Sequence, residues 1–408
     1  MAESGPALGI RVWDTRLRKL VPLPTSEDAG QPGEPVLRLY VCGVTPYDSG
    51  HLGHATTFLA FDVLVRWAAA QGVRVRYIQN VTDVDDPLFE RARRDGIRWD
   101  DLAEREVKAL LRDMESLGWR APDRMPRVSQ EIPAIEDAVQ GLLDRGYGYR
   151  TDAHYFDTAR YPGYGALSHR TRRSMVAKLR DEGLLGTVGP AAKRNELDFT
   201  LWRPSAADEP SWDAPFGAGR PGWHIECSAM VRRYLGPQID VHGGGRDLQF
   251  SHHESERAQS ESLTGEAPFA KAWMHTGMVR YEGRKMSKSL GNLVVVQQVL
   301  DRVSPAAARL ALLGHRYRMD WEFAWHRLEP AQRLVTELRT LVGADSVDGA
   351  SRPEAGEGSA YASAFATALD DDLDTGRALR YLRRAVAARH AEAAAWMASI
   401  LCGAAKLG

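Results

Sequence analysis

Residues 36–44, VLRLYVCGV, are dominated by Val, Leu and Tyr, with a glycine near the end, the pattern of a strand buried on both faces. After the turn TPYDSGHLGH, the stretch ATTFLAFDVLVRWAAAQG places apolar residues at helical spacing until Gly72 stops it. VRVRYIQNVTDVDD then reads as a second strand. Strand, glycine-bearing turn, helix and strand make a βαβ unit, so the expected sheet is parallel and its ligand site lies at the carboxyl ends of the strands. The turn that carries His51, Leu52, Gly53 and His54 stands at that edge.

From about residue 100 to 146 three helical patterns are expected, among them WDDLAEREVKALLRDMESLG and EIPAIEDAVQGLLDRG, both closed by glycine. The character changes over 147–214, where YGYRTDAHYFDTARYPGYGALSH suggests short strands and turns inserted into the main fold. Sheet signals return at PQIDVHGGG, and GEAPFAKAWMHTGMVRYEGRKMSKSLGN ends in a loop rich in lysine and serine. Beyond residue 300 the pattern is helical almost throughout, with DSVDGASRPEAGEGS, residues 345–359, read as a flexible linker before a last helical pair. There is no internal repeat. The expected plan is a Rossmann-like catalytic domain in two halves, 1–125 and 215–300, the second carrying the lysine loop. Between them lies an inserted connective region, 126–214, and a helical C-terminal domain follows over 301–408.

A chain of 408 residues exceeds one ordinary core, in keeping with that plan. With 44% hydrophobic and 26% charged residues it falls among soluble globular proteins. Asp plus Glu number 54 against 53 Lys plus Arg, so no global basic field advertises a polyanionic partner. The N-terminus, MAESGPALGIRVWD, lacks a basic segment followed by an apolar one, and no stretch approaches the ~20 apolar residues of a membrane span. The expected protein is a cytoplasmic monomer with no membrane partner. Three cysteines cannot build a disulfide framework, and a reducing compartment leaves thiolates free to hold metal.

Two short motifs carry the chemistry. A lone histidine turn is usually a solvated loop and a lone lysine–serine run a polar turn, but their joint occurrence on an α/β frame is far rarer. HLGH at 51–54 and KMSKS at 285–289 together resemble the two signatures of the class I aminoacyl-tRNA synthetase superfamily. The resemblance implies an α/β fold with a class I synthetase Rossmann-like parallel sheet, an inserted domain and a C-terminal helical domain. It also implies adenylation of a carboxylate by in-line attack on the α-phosphate of ATP, with Mg²⁺ accompanying the nucleotide. His51 and His54 are suited to donate to phosphoryl oxygens from a helix N-terminus, where amides and the helix dipole also favour anions. Lys285 and Lys288 supply mobile positive charge from the other side. Gly53 lets the backbone approach the nucleotide, and Gly291 lets the chain turn after the lysine loop.

Cys42, Cys227 and His252 are far apart in sequence, and a solitary cysteine near a strand end is commonly a small buried hydrophobe. The wording around them, YVCG, GWHIECSAM and GGGRDLQFSHHESE, resembles cysteinyl-tRNA synthetase. That resemblance implies one Zn²⁺ per chain held by Cys42, Cys227, His252 and Glu256, which the substrate thiolate joins. Zn–S coordination prefers a thiol to a hydroxyl, so cysteine would be chosen and serine rejected without an editing site. The family's ribose-binding loop corresponds to Gly244, Gly245 and Asp247, and the wall of its amino-acid pocket to Trp223 and His224. Thr45, Thr57, Asn80, Val81 and Thr82 fall where the family holds the aminoacyl adenylate, and Val279 resembles an adenine contact. A buried Trp, a strand-end Asn or a glycine-rich turn serves packing about as often.

The acceptor is read from a second resemblance. CGVTPYDSGHLGHATTF, YIQNVTDVDDPLFERA and HTGMVRYEGRKMSKSLGNLVVV look like the mycothiol ligases, which share the catalytic body of cysteinyl-tRNA synthetase and join cysteine to the amine of glucosaminyl-inositol. The tail ARHAEAAAWMASILCGAAKLG offers few polar or aromatic groups for reading bases. The expected substrates are therefore cysteine, ATP and an aminosugar. Glu256 and KRNELDFTLW look more like the synthetase, and RDEGLLGTVGP lacks the ERGGDP-like phrase of the ligase. The alternatives are a short cysteinyl-tRNA synthetase, with tRNA as partner, or a cysteine ligase acting on another amine. A nucleotide-binding paralogue without activity is a further class, which intact His51, His54, Lys285 and Lys288 argue against.

Overall fold

Strand Gln31–Val44 starts earlier than the apolar run 36–44 predicts, because its polar first residues pair antiparallel with the short strand Ser26–Asp28. From Val36 onward it runs parallel to Arg74–Val81 on one side, and over Leu39–Val41 parallel to Ile239–Gly245 on the other. Ala270–Thr276 extends the sheet beside Ile239–Gly245, again parallel. This computed structural model describes residues 9–408 except 29–30, 48–49, 184–192, 287–289, 344, 346 and 355. Lys288, with the serines beside it, and most of RDEGLLGTVGP lie outside the described residues.

The first βαβ crossover is helix Leu52–Ala70, with Gly72 at φ 80° closing it. Fourteen of its side chains are buried, on every face, because it lies between the sheet and the C-terminal helices. Trp67 stacks edge-on against Phe365 and Trp396, and its indole N–H bonds Asp370 at 2.9 Å. The other face of the sheet is covered by helices Ile132–Asp144 and Trp223–Leu235, whose apolar residues share a cluster with Tyr40, Ile78 and Ile239. Helices on both faces of a parallel sheet are the doubly wound arrangement that the hydrophobic pattern predicts.

Between the two halves of this sheet lies a four-stranded antiparallel sheet of Gly148–Arg150, His154–Phe156, Phe199–Arg203 and Arg220–Pro221. A third sheet joins Val279–Tyr281, Arg284–Lys285 and Trp321–Phe323, so the hairpin leading into the lysine loop rests on a strand from beyond residue 300. The remaining C-terminal elements are helices, the longest being Leu328–Val342, Glu357–Asp370, Thr375–Ala387 and Ala391–Leu401. At the start of the stretch expected as a flexible linker, Val347 is buried and the Asp345 carbonyl accepts from the Leu407 amide at 2.8 Å, so that end is anchored.

Arg309 joins these layers. It is fully buried, pairs with Asp62 of the first crossover helix, and donates to the carbonyls of Leu117, Gly118 and Leu401. Asp62 also accepts from the Arg120 amide at 2.6 Å and from Arg66 at 3.0 Å, so both buried charges are saturated with partners.

Candidate active site

A cavity of about 360 Å³ opens at the carboxyl ends of the four parallel strands. Each strand delivers wall residues as it ends: Cys42 and Thr45, Asn80 and Thr82, Gly245 and Asp247, and Thr276 through Val279. His51, Gly53, His54 and Thr57 enter from the start of the first crossover helix, Trp223, Cys227 and His252 from two later helices, and Lys285 from the hairpin. Of the described residues singled out from sequence as site residues, Val81, His224, Gly244 and Glu256 stand off the wall, His224 lining a neighbouring cavity behind Trp223 instead. Val81 is buried on the face opposite Asn80 and Thr82, as the alternation of a strand requires. Gly244 packs instead under the His253 ring, which a Cβ would meet at 3.0 Å.

His51 caps the helix, its Nδ1 accepting from the Gly53 amide at 3.0 Å. With Nδ1 an acceptor, the neutral ring carries its proton on Nε2 and is a donor there. His54 stacks on His51 with ring centroids 3.9 Å apart. Burial, with His51 adding to it, pushes His54 well below the usual imidazole range, so the His54 ring is neutral. Its Nδ1 is buried and has no protein partner. A side chain on Gly53 would stand 2.8 Å from the His51 ring, so this glycine makes room for the histidine itself, a closer reason than approach to a nucleotide. Gly291 has φ 64°, the left-handed conformation expected after the lysine loop.

Thr57 ties the helix to the sheet through Thr276, hydroxyl to hydroxyl at 2.7 Å. Asn80 accepts from the Gly43 amide at 2.9 Å and donates to Thr82 at 3.0 Å, bracing two strand ends side by side. Asp247 sits in a short turn of helix after Gly245, and Val279 is buried, its carbonyl accepting from the Met286 amide. Trp223 lies flat against His252, centroids 4.2 Å apart.

At the floor, the ligand atoms of Cys42, Cys227, His252 and Glu256 all lie within 4.8 Å of one another, and all four residues are buried. The two sulfurs are 3.9 Å apart, close to the ~3.8 Å that two Zn–S bonds of ~2.3 Å subtend at a tetrahedral angle. His252 turns Nε2 toward Glu256 at 3.0 Å while its Nδ1 meets His224 Nδ1 at 3.0 Å. Burial pushes the Cys42 thiol far up, and its hydrogen bond with Cys227 adds to this. Cys227 goes the other way, to about 6, because the Cys42 hydrogen bond and the nearby His252 outweigh burial. Two soft sulfurs, an imidazole and a carboxylate, dry and converging, are a donor set that fits a zinc ion.

Sequence reasoning missed the histidines behind this floor. Glu256 accepts from His242 Nε2 at 2.9 Å, and His253 Nε2 lies 3.3 Å from the Cys42 sulfur. His253 Nδ1 meets His275 Nε2 at 2.8 Å, and His275 Nδ1 meets the Thr15 hydroxyl at 2.8 Å. Burial holds His253 well below its ordinary value and His275 at about 3, so this chain of rings is neutral. Cys42, His242, His253 and Glu256 form a second converging group, sharing Cys42 and Glu256 with the first. The doubled histidine at 252–253 is the one sequence signal that pointed here. Asp85 was also missed. It takes the Thr45 hydroxyl at 3.1 Å, and burial with the neighbouring Asp86 raises its carboxyl to about 6.

This architecture is that of the class I synthetases. The solved structure of Mycobacterium tuberculosis methionyl-tRNA synthetase in complex with methionyl-adenylate superposes with a TM-score of 0.60 at 15% identity, covering 90% of this chain and 89% of that one. Residues 31–333 match the family described as tRNA synthetases class I (C) catalytic domain, and the chain belongs to that family. It is 44% identical over 376 residues to an L-cysteine:1D-myo-inositol 2-amino-2-deoxy-alpha-D-glucopyranoside ligase of Thermobispora bispora, covering 92% of this chain and 89% of the relative. It is 41% identical over 375 residues to a cysteine–tRNA ligase of Dehalococcoides mccartyi, covering 91% and 78% respectively. The protein is thus a ligase-family enzyme of the class I synthetase type. Among the described residues no helix is long and apolar enough to cross a membrane.

Proposed function

We propose that this protein is an ATP-dependent, AMP-forming cysteine ligase that transfers cysteine to the amine of glucosaminyl-inositol. The observation that carries the reading is the convergence of Cys42, Cys227, His252 and Glu256 at the floor of a cavity whose rim holds His51, His54 and Lys285. The similarity to ligases named for that reaction supports the same acceptor. A zinc ion held by these four residues would bind the thiolate of cysteine and so discriminate against serine.

The chain's other groups divide the work. Trp223 closes the pocket beside His252. Thr45, Thr57, Asn80 and Thr82 surround the adenylate, and Asp247 takes the ribose hydroxyls. His51 donates from Nε2 to the α-phosphate, His54 lends a second neutral donor, and Lys285 and Lys288 draw charge toward the departing pyrophosphate. The cysteine carboxylate oxygen forms the new bond to phosphorus as the bond to the β-phosphate oxygen breaks, and pyrophosphate leaves. The neutral amine then forms a C–N bond to the acyl carbon, the acyl–O bond breaks with its electron pair on AMP, and the nitrogen gives up a proton. Holding amine and mixed anhydride together removes much of the bimolecular cost.

Cysteine–tRNA ligation uses the same first step, and the Dehalococcoides relative together with Glu256 favours it as the second reading. Pyrophosphate exchange with ATP tests the shared first step. Exchange that requires cysteine and ignores serine is expected; no exchange with cysteine would remove both readings.

A further inference from the structure

Trp223 lines a second cavity, of about 130 Å³, as well as the first. This second cavity lies between the inserted antiparallel sheet, which supplies Phe199, Thr200, Arg203 and Arg220, and the main fold, which supplies Asp85, Asp86 and Gly222 through His224. A second link joins the two spaces. The Asp85 carboxylate, in the wall of the second cavity, holds the hydroxyl of Thr45, in the wall of the first, at 3.1 Å.

The walls select for a particular chemistry. Arg203 and Arg220 both pair with Asp86, and Arg220, only 3% exposed, also holds Glu209 at 2.7 Å. Lys193 adds a half-buried ammonium, and Asp198 a carboxylate. Phe199 and Tyr164 stack with centroids 6.0 Å apart and, with Trp223, give aromatic faces. Fixed groups of both signs beside aromatic rings suit a hydroxyl-rich ring, whose vicinal hydroxyls bond carboxylate and guanidinium alike while its C–H face lies on the rings. Arg203 and Arg220 are taken up by Asp86 and Glu209, which leaves the Asp85 carboxylate as the group that favours an amine. The cavity is well below the ~300–1,000 Å³ of sites that enclose a drug-sized ligand, so it takes one ring and leaves the rest of the acceptor outside.

We propose that this second cavity seats the aminosugar acceptor, with its nitrogen on Asp85 and aimed past Trp223 at the acyl carbon in the first cavity. The assignment rests on the ligase reading above and gives it an acceptor site. Asp85 uses one carboxylate oxygen for the Asp86 amide, at 2.9 Å, and the other for Thr45, and each oxygen has a further lone pair for an N–H. As the C–N bond forms and AMP departs with the acyl–O electron pair, the nitrogen's proton passes to this carboxylate. A carboxyl raised to about 6 by burial and by Asp86 is suited to take it.

The test is single-turnover transfer from preformed cysteinyl-adenylate to glucosaminyl-inositol, run on the zinc-loaded full-length protein and on the variants Asp85→Asn and Lys193→Met. Asparagine still caps the following helix with its oxygen and can donate its amide to the Thr45 hydroxyl oxygen instead of accepting from it, and Lys193 lies away from the first cavity's wall. Asp85→Asn is expected to slow transfer at least tenfold more than it slows pyrophosphate exchange. Lys193→Met is expected to raise the acceptor KM at least fivefold more than the KM for ATP. If wild-type protein makes the amide and both variants transfer as it does, or lose exchange and transfer in equal proportion, the acceptor site is wrong and the ligase reading stands. If wild-type protein exchanges pyrophosphate but makes no amide, or charges tRNA instead, the ligase reading falls and takes the aminosugar site with it.

Discussion

The sulfurs of Cys42 and Cys227 lie 3.9 Å apart although 185 residues separate them in sequence. One stands near the end of the first parallel strand and the other on a helix, far along the chain, that covers one face of the sheet, so only the completed fold makes the pair.

That pair separates metal binding from phosphate chemistry. Cys227→Ala is expected to lose bound zinc and cysteine-dependent exchange together. Lys285→Ala, on the hairpin, should keep a full complement of zinc while adenylate formation drops about 100-fold. Metal content by atomic emission and single-turnover adenylation on both proteins check this; loss of zinc from the lysine variant would contradict the division.

Gly53 sets the position of His51. Gly53→Ala drives a methyl into the His51 ring, 2.8 Å away, and the expected result is adenylation slower by roughly 10–100-fold with zinc retained. A variant that adenylates as fast as wild type would show that the His51 ring does not need this placement.

How much of this was readable beforehand differs from residue to residue. The strand–helix–strand unit announced itself because a run buried on both faces, VLRLYVCGV, has no alternation to confuse with a surface strand. His51, His54 and Lys285 could be placed from two short motifs. The floor of the cavity needed a family resemblance, since its four residues come from three separate stretches. Of the chain from Cys42 through His253 and His275 to Thr15, only the doubled histidine at 252–253 left a sign in the sequence, because each link is a tertiary contact. Arg309, in PAAARLALL, has no sequence mark of its place: it is fully buried, its charge met by Asp62 and three carbonyls.

Arg309→Met should therefore destabilise the protein by about 3 kcal/mol in denaturant unfolding. Asp62 keeps Arg66 and the Arg120 amide, so the cost comes largely from the carbonyls of Leu117, Gly118 and Leu401 left unpaired. A change below 1 kcal/mol would mean that this junction contributes little.

His315, stacked on Trp321, gives a stability change with pH. Burial, with Arg327 adding to it, lowers its pKa from 6.5 to about 4, so between those values the unfolded chain binds the proton and the folded one does not. Its contribution is complete above pH 6.5 and is lost as pH falls toward 4. His315→Gln should reduce the slope of unfolding free energy in that window by about 1.4 kcal/mol per pH unit. Parallel curves for variant and wild type would contradict the burial of a neutral ring here.

The most direct test of the whole account is product analysis by mass spectrometry after incubating the zinc-loaded protein with cysteine, ATP and glucosaminyl-inositol. The expected result is cysteinyl-glucosaminyl-inositol in equal amount with AMP and pyrophosphate, and none of the amide when serine replaces cysteine. Release of ADP and phosphate, or AMP formation with no amide on the sugar, would contradict it.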